Sequence, residues 1–242
     1  MSGAKGARED TQERLTLDQV ANYWRYGYLV VPHVLPTDLC DEIIQHALEF
    51  ETARQGVFDP VTQPHLVDPW FRRILGYPPI ISIIADILGE RPDGLQTLFY
   101  FGRPAPYGFI LHQDNYCVEA GDADFLSSWI ALTDVTPGNG CLKVYPGTHT
   151  KGVLPVRRLG PGEVNEQFPN MTDSPQFDER IEPIDLPMVK GDLVVLHGNV
   201  LHCSNANRTN SFRYAHLNTY LRPGTPFRPG NTARRRSEPL DT

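Results

Sequence analysis

The spacing of apolar residues along this chain changes once, near Leu95, and that change limits the folds open to it. Before Leu95 the apolar positions recur at helical intervals; after it they alternate, with turn residues every eight to twelve positions, the pattern of an antiparallel sandwich or barrel. Thr16 and Gln19 form a capping box for a helix from Leu17 to about Tyr26, with Gly27 as its stop. Tyr28 to Val31 reads as a strand. Thr37 is expected to cap a second helix carrying Leu39, Ile43, Ile44, Ala47 and Leu48, ending near Gly56. Shorter helices are predicted at Trp70 to Leu75 and Ile80 to Leu88, with Pro78 and Pro79 between them and Gly89 after the second. Strands are predicted at Gln96–Phe101, Phe109–Asp114, Ser127–Thr133, Cys141–Tyr145, Glu182–Met188, Asp192–His197, Leu201–Ser204 and Phe212–Leu221. About eight strands imply a mainly β fold with flanking helices, a double-sheet, cupin-like jelly roll.

One domain is expected over residues 1–242: a helical part at about 12–92, a jelly-roll core at about 95–222 and a basic tail at 223–242. Its 40% hydrophobic content can bury one good-sized core. A net charge of -7 excludes a global attraction for nucleic acid or anionic lipid. Arg222, Arg228, Arg234, Arg235 and Arg236 are a local exception, and in their Pro-rich, polar context they read as a solvated segment. Met1–Asp10 has no apolar stretch of the kind a leader carries, and no later run approaches the ~18 apolar residues of a membrane span, so a cytoplasmic location without a membrane partner is expected. Four cysteines without a CxxC pairing point to reduced thiols rather than a zinc knuckle. The stretch from Pro155 to Arg180 shows no periodicity and is long for a connector, which favours a functional lid.

The chemistry concentrates in His112-Gln113-Asp114, read with His202 and Arg213. Residues two apart on a strand share a face, so His112 and Asp114 can reach one ion while Gln113 turns away. Such a triplet is common by chance and gains meaning only from the later segment. Two histidines and a carboxylate can occupy one face of an octahedral iron(II) ion and leave the other open. An arginine close behind would suit the far carboxylate of a dicarboxylic acid such as 2-oxoglutarate. If Ser204 and Ser211 close a hairpin, His202 falls opposite Arg213 and both join Ser204 around one pocket, although the sequence does not fix that register. His197 competes with His202 as the second histidine.

The segments Leu111–Asn115, Trp129–Gly140, Pro146–His149 and Gly191–Arg213 resemble the phytanoyl-CoA dioxygenase family of iron(II)/2-oxoglutarate oxygenases. The likeness runs from about Leu95 to Tyr220 and implies a double-stranded β-helix with His112, Asp114 and His202 as iron ligands. It implies that Arg213 and Ser204 hold the far carboxylate of 2-oxoglutarate and that Trp129, which alone would read as core, lines the co-substrate pocket. Gln96 stands where such enzymes contact the co-substrate, and His65 near another such contact. Family members often carry Lys-Pro where this chain has Gly102-Arg103-Pro104. The implied reaction consumes oxygen and 2-oxoglutarate, releases succinate and CO2, and hydroxylates a small molecule. Asp114 favours a hydroxylase, because halogen-installing relatives have a small residue there.

The remaining polar residues have plainer roles. His197 is expected as a hydrogen-bonded wall residue, His149 as a turn support, His33 and His46 as surface or satisfied groups, and His216 as facing away from the pocket. Asn115 and Tyr116 follow the metal strand and are candidate substrate contacts, while Cys203 should be a small buried group turned from the metal. Desaturation, cyclisation or epimerisation by the same iron chemistry is an alternative outcome. A non-catalytic cupin-like metal- or ligand-binding protein is the alternative from another class.

Overall fold

The structure, a computed structural model, describes residues 14–105, 107–160, 172–177 and 180–240. Helix α1 (Leu17–Tyr26) starts on the expected box: the Thr16 hydroxyl accepts from Gln19 N at 3.2 Å and the Gln19 side chain accepts from Thr16 N at 2.8 Å. Gly27, at φ +80°, ends it and leads into β1 (Tyr28–Val31). Helix α2 (Thr37–Leu48) begins one residue earlier than expected, because Pro36 takes the cap position with no side-chain cap bond and Thr37 is already helical. It also stops at Leu48, and a separate turn, α3 (Glu51–Arg54), precedes Gly56. Strand β2 (Val61–Thr62) is followed by α4 (Pro69–Leu75), capped by Asp68, whose Oδ1 accepts from Trp70 N at 2.8 Å. In α5 (Pro78–Leu88) the two prolines occupy the first helical turn, where the missing N–H costs nothing.

The remaining strands are β3 (Asp93–Gly102), β4 (Phe125–Ala131), β5 (Leu142–Val144), β6 (Val156–Arg158), β7 (Asp173–Pro175), β8 (Ile184–Leu186), β9 (Leu193–His197), β10 (His202–Ser204), β11 (Arg213–Leu221) and β12 (Glu238–Pro239). A seven-stranded antiparallel sheet runs β1-β9-β4-β11-β3-β12, with β2 also on β3. A smaller sheet, β10-β5-β8, faces it, giving the jelly roll. Phe109–Asp114 is not a regular strand; it meets β10 through a bridge between His112 and His202 and through Phe109, whose carbonyl accepts from Ser204 N at 3.1 Å. The Pro155–Arg180 stretch contributes the β6-β7 ladder from its described ends, and residues 161–171 and 178–179 lie outside the described residues.

Alternation assigns the faces of the large sheet. Leu126, Ile130, Leu193, Val195 and Tyr220 point to the helical side, where Ile80, Ile83, Ile84 and Ile87 of α5 and Phe71 of α4 are buried in the same cluster. Each such isoleucine contributes about 1.5–3 kcal/mol by leaving water. Trp129, Val194, Leu196, Ala215 and Leu217 point the other way, toward Leu142 and Val144 of the small sheet. The functional residues lie between the sheets, on this second face.

The tail departs from expectation. It is not a solvated segment: β12 pairs with the β3 edge, Leu240 is buried, and the Arg91 guanidinium donates to the Leu240 carbonyl at 2.6 Å. An apolar anchor at its end and a free sheet edge hold it down.

Candidate active site

His112 and His202 meet backbone to backbone, each N–H donating to the other's carbonyl at 3.0 and 3.1 Å. Two residues on, Asp114 opens a 3-10 turn, Asp114–Cys117. Between them Gln113 does turn away: its amide donates to the carbonyls of Gly152 (2.9 Å) and Asn199 (2.6 Å), and its oxygen accepts from Leu154 N at 2.8 Å. These bonds hold the triplet's backbone without a regular strand.

The side chains of His112, Asp114 and His202 offer three ligand atoms all within 4.8 Å of one another. Asp114 Oδ1 lies 3.4 Å from His112 Nε2 and 3.7 Å from His202 Nε2. Each Nδ1 sits on a backbone carbonyl, Ile110 O at 2.8 Å and Val200 O at 3.1 Å, so the proton belongs there and each Nε2 keeps its lone pair for an ion. Asp114 Oδ2 accepts from the Ser127 hydroxyl at 2.6 Å. Burial works against the Asp114 charge, but His202, His112 and the Ser127 bond outweigh it and hold the carboxyl below the usual range. Burial, aided by His112, pushes His202 down to about 4, so it is a neutral ligand at ordinary pH.

Two chambers meet at this triad. The inner one, about 70 Å³, includes Arg213, Trp129, Ser204 and Tyr100 in its wall. The Arg213 guanidinium stacks on Trp129 with Cζ 5.4 Å from the ring centroid. It is 9% exposed, its Nε has no hydrogen-bond partner, and it makes no ion pair among the described residues. Burial lowers it to about 10, still charged at neutral pH. A buried, uncompensated cation is expensive and calls for an anion. Ser204 Oγ accepts from Phe109 N at 2.8 Å, leaving its proton free to donate.

His202 and Arg213 do not reach this site as hairpin partners. His202 is opposite Val144 in the small sheet, whereas Arg213 is opposite Gly102 in the large one. Residues 205–212 cross between the sheets, fastened by Asn207, whose amide donates to Gly102 O and Ser211 O, both at 2.8 Å. The two residues therefore face one another across the sandwich.

The outer chamber, about 270 Å³, also includes His112, Asp114, Tyr100, Phe109 and Leu217 in its wall, and adds Gln96, Tyr116, Asp173 and Arg235. Gln96 is thus brought to the triad but not to the Arg213 chamber, and its oxygen accepts from Arg235 Nε at 2.6 Å. Tyr116 donates to Asp173 Oδ2 at 3.2 Å. Asn115 is 1% exposed and spent on structure, bonded to Ala120 O and Asn199 Oδ1, so it is no substrate contact.

Other candidates lie elsewhere. His197 accepts from Asn199 N at 3.0 Å and packs on His149 at 4.8 Å, away from the triad. His149 meets Trp24 O at 3.0 Å and fills the space beside Gly27, where a Cβ would stand 2.4 Å from its ring. His65 bonds Thr97 Oγ1 at 2.8 Å and lines neither chamber. His216 is fully buried against Phe71 on the helical side. Cys203 is half-buried rather than buried, because it shares the cross-strand row of Lys143 and Asp185 on the small sheet's solvent face.

Three contributors escaped the sequence reading. Ser127 carried no signal beyond its place on the strand leading to Trp129. Gly102 permits the close approach of Arg213, since a Cβ there would lie 2.5 Å from Arg213 O and 2.9 Å from its Nε. Arg235 lay hidden in a run of three arginines.

A double-stranded β-helix with two histidines, a carboxylate and a buried arginine defines a class of metal-site proteins. A family model described as phytanoyl-CoA dioxygenase (PhyH) matches residues 23–215, and the chain belongs to that family. It is 32% identical over 152 residues to phytanoyl-CoA dioxygenase 1 of Oryza sativa subsp. japonica, a match covering 62% of this chain and 52% of that protein. The chain therefore spans about half the length of that relative. Among solved structures it is similar to the non-heme alpha ketoglutarate dependent carbocyclase SnoK from nogalamycin biosynthesis, with a TM-score of 0.71 at 23% identity over 93% of this chain and 91% of that one. It is also similar to the epimerase SnoN, in a complex with Fe3+, alpha ketoglutarate and nogalamycin RO, with a TM-score of 0.70 at 23% identity over 89% and 87%. No helix among the described residues is long and apolar enough to cross a membrane.

Proposed function

We propose that this chain is an iron(II)- and 2-oxoglutarate-dependent dioxygenase that hydroxylates a small molecule. The observation that carries this reading is Arg213: a buried guanidinium without an anionic partner among the described residues, in a chamber that opens onto two imidazoles and a carboxylate. That donor set fits iron(II), and the orphaned cation fits the far carboxylate of a dicarboxylic co-substrate. Iron(II) with 2-oxoglutarate and oxygen supplies an oxidant strong enough to attack a C–H bond, at the cost of succinate and CO2.

The chain's own residues bind and orient. His112, Asp114 and His202 hold the ion, with the Ile110 and Val200 carbonyls and the Ser127 hydroxyl fixing their directions. Arg213, over the Trp129 ring, would take the distal carboxylate, and Ser204 would donate its hydroxyl proton to the same group. Leu142, Leu196 and Leu217 exclude water around it. The outer chamber, which shares His112 and Asp114 with the inner one, would receive the substrate. Gln96 belongs to this outer side.

A test is release of succinate from 2-oxoglutarate with iron(II) and oxygen, paired with Arg213→Ala. The substitution is expected to raise the 2-oxoglutarate requirement far more than the iron requirement. Equal effects on the two would count against the carboxylate role. The fold is shared with a carbocyclase and an epimerase, so product analysis separates hydroxylation from those outcomes.

A further inference from the structure

The C-terminal tail places a second cation at the triad. After Arg228, fixed by Glu119 at 2.8 Å and the Tyr116 carbonyl at 2.8 Å, the chain turns tightly: Arg234 N donates to Gly230 O at 3.0 Å and Arg235 N to Pro229 O at 2.9 Å. Arg234 adopts φ +49°, a left-handed conformation unfavourable for an arginine. The turn is held from both sides, by Gln63 donating to Ala233 O and by β12 pairing with β3. Its consequence is that Arg234 is exposed while Arg235 turns inward into the outer chamber.

Arg235 makes hydrogen bonds only to neutral oxygens, Gln96 Oε1 at 2.6 Å, Cys117 O at 3.1 Å and Pro229 O at 3.5 Å. It has no carboxylate partner among the described residues. The other acidic group on that wall outside the triad is Asp173, already engaged by Tyr116 and, at 3.6 Å, by Arg158. Gln96 and the two carbonyls hold the guanidinium in place and leave its second terminal nitrogen without a partner among the described residues.

We propose that Arg235 is the docking group for an anionic substituent of the substrate, a carboxylate or a phosphate, and that this contact sets which end of the molecule faces His112, Asp114 and His202. The proposal rests on the oxygenase reading, which makes the outer chamber the substrate's. It divides recognition between two cations: Arg213 takes the co-substrate's carboxylate in the inner chamber, and Arg235 takes the substrate's anion in the outer one. A neutral hydrocarbon substrate would leave Arg235 unpaired.

The test uses the full chain loaded with Mn(II) and saturating 2-oxoglutarate, so that binding is read without turnover. Benzoate, phenyl phosphate and hexanoate are titrated beside their neutral counterparts benzamide, phenol and hexanamide, with affinity read by calorimetry. At least one anion should bind the wild type more tightly than its neutral partner. Arg235→Gln should weaken that anion about tenfold or more and erase the difference, with Arg235→Lys intermediate. Preference for the phosphate over the carboxylates, or the reverse, identifies the group. Equal binding of charged and neutral partners, no binding by any anion, or anion binding unchanged in Arg235→Gln would overturn the proposal. Affinity for 2-oxoglutarate, measured first in the same samples, should differ less than twofold between wild type and Arg235→Gln. Its absence from the wild type would defeat the oxygenase reading instead, and the anion titrations would still report on Arg235.

Discussion

Replacing Arg213 by methionine should make the ligand-free protein more stable and abolish its response to 2-oxoglutarate. Burial lowers the Arg213 guanidinium from its ordinary value to about 10, so below that pH the charged form disfavours the fold by about 3 kcal/mol. Above about 10 the unfolded chain holds the proton more firmly than the folded one, so the penalty fades as pH rises from there toward the ordinary arginine value and is complete at neutral pH. Methionine keeps the length and removes the charge. It also removes the stacking on Trp129, which offsets about 0.5–2 kcal/mol of the gain. A net gain of about 1–2.5 kcal/mol remains, a rise in melting temperature of about 2–10 °C for a chain of 242 residues.

The second half of the same experiment has the opposite sign. With 2-oxoglutarate at a hundred times its Kd, the wild type should gain about 2.7 kcal/mol, and the methionine variant almost none. Thermal unfolding with metal present, with and without 2-oxoglutarate, gives both numbers. A variant less stable than the wild type without ligand would mean that the guanidinium is satisfied by the fold itself. An undiminished ligand response would mean that the carboxylate binds elsewhere. Either result refutes the role given to this residue.

Other substitutions probe its neighbours. Ser127→Ala removes the 2.6 Å bond that aims Asp114 and should weaken metal binding about 10–100-fold in an anaerobic iron(II) titration; an unchanged affinity would show that Asp114 is held by other means. Gly102→Ala puts a methyl 2.5 Å from the Arg213 carbonyl oxygen and 2.9 Å from its Nε, so the Arg213 backbone and guanidinium must both shift and the 2-oxoglutarate requirement should rise about tenfold or more, beyond any change in metal affinity. His216, held neutral by burial at about 3 against an ordinary 6.5, costs stability as pH falls from 6.5 toward 3, because the unfolded chain takes the proton first. His216→Leu should therefore spare about 3 kcal/mol of the loss between pH 6.5 and 4, read as a flatter acid limb in urea unfolding.

What could be read from the sequence was what depends on near neighbours. The capping box of α1 and the left-handed Gly27 are decided within a few residues, and the chain's chemistry is enough to place them. The pairing of His202 with Arg213 is a different kind of question. The hairpin register presumes that strands close in sequence share a sheet, whereas residues 205–212 carry the chain from the small sheet to the large one. Bonds of Asn207 to Gly102 and of Asn205 to Cys141 and Asp185 help hold that crossing, and these partners are distant in sequence.

The tail shows the same limit with a functional consequence. Composition sees three consecutive arginines and treats them alike, yet their roles are set by a buried Leu240, a free β3 edge and the backbone angle of Arg234. The site therefore owes its outer cation to where the tail is anchored. A charge in a flexible segment would be hydrated and weakly selective, whereas one fixed by Gln96 and two carbonyls presents a donor in a set direction. His112, Asp114 and His202 lie within the matched region, which ends at residue 215, whereas Arg235 of the outer wall lies beyond it.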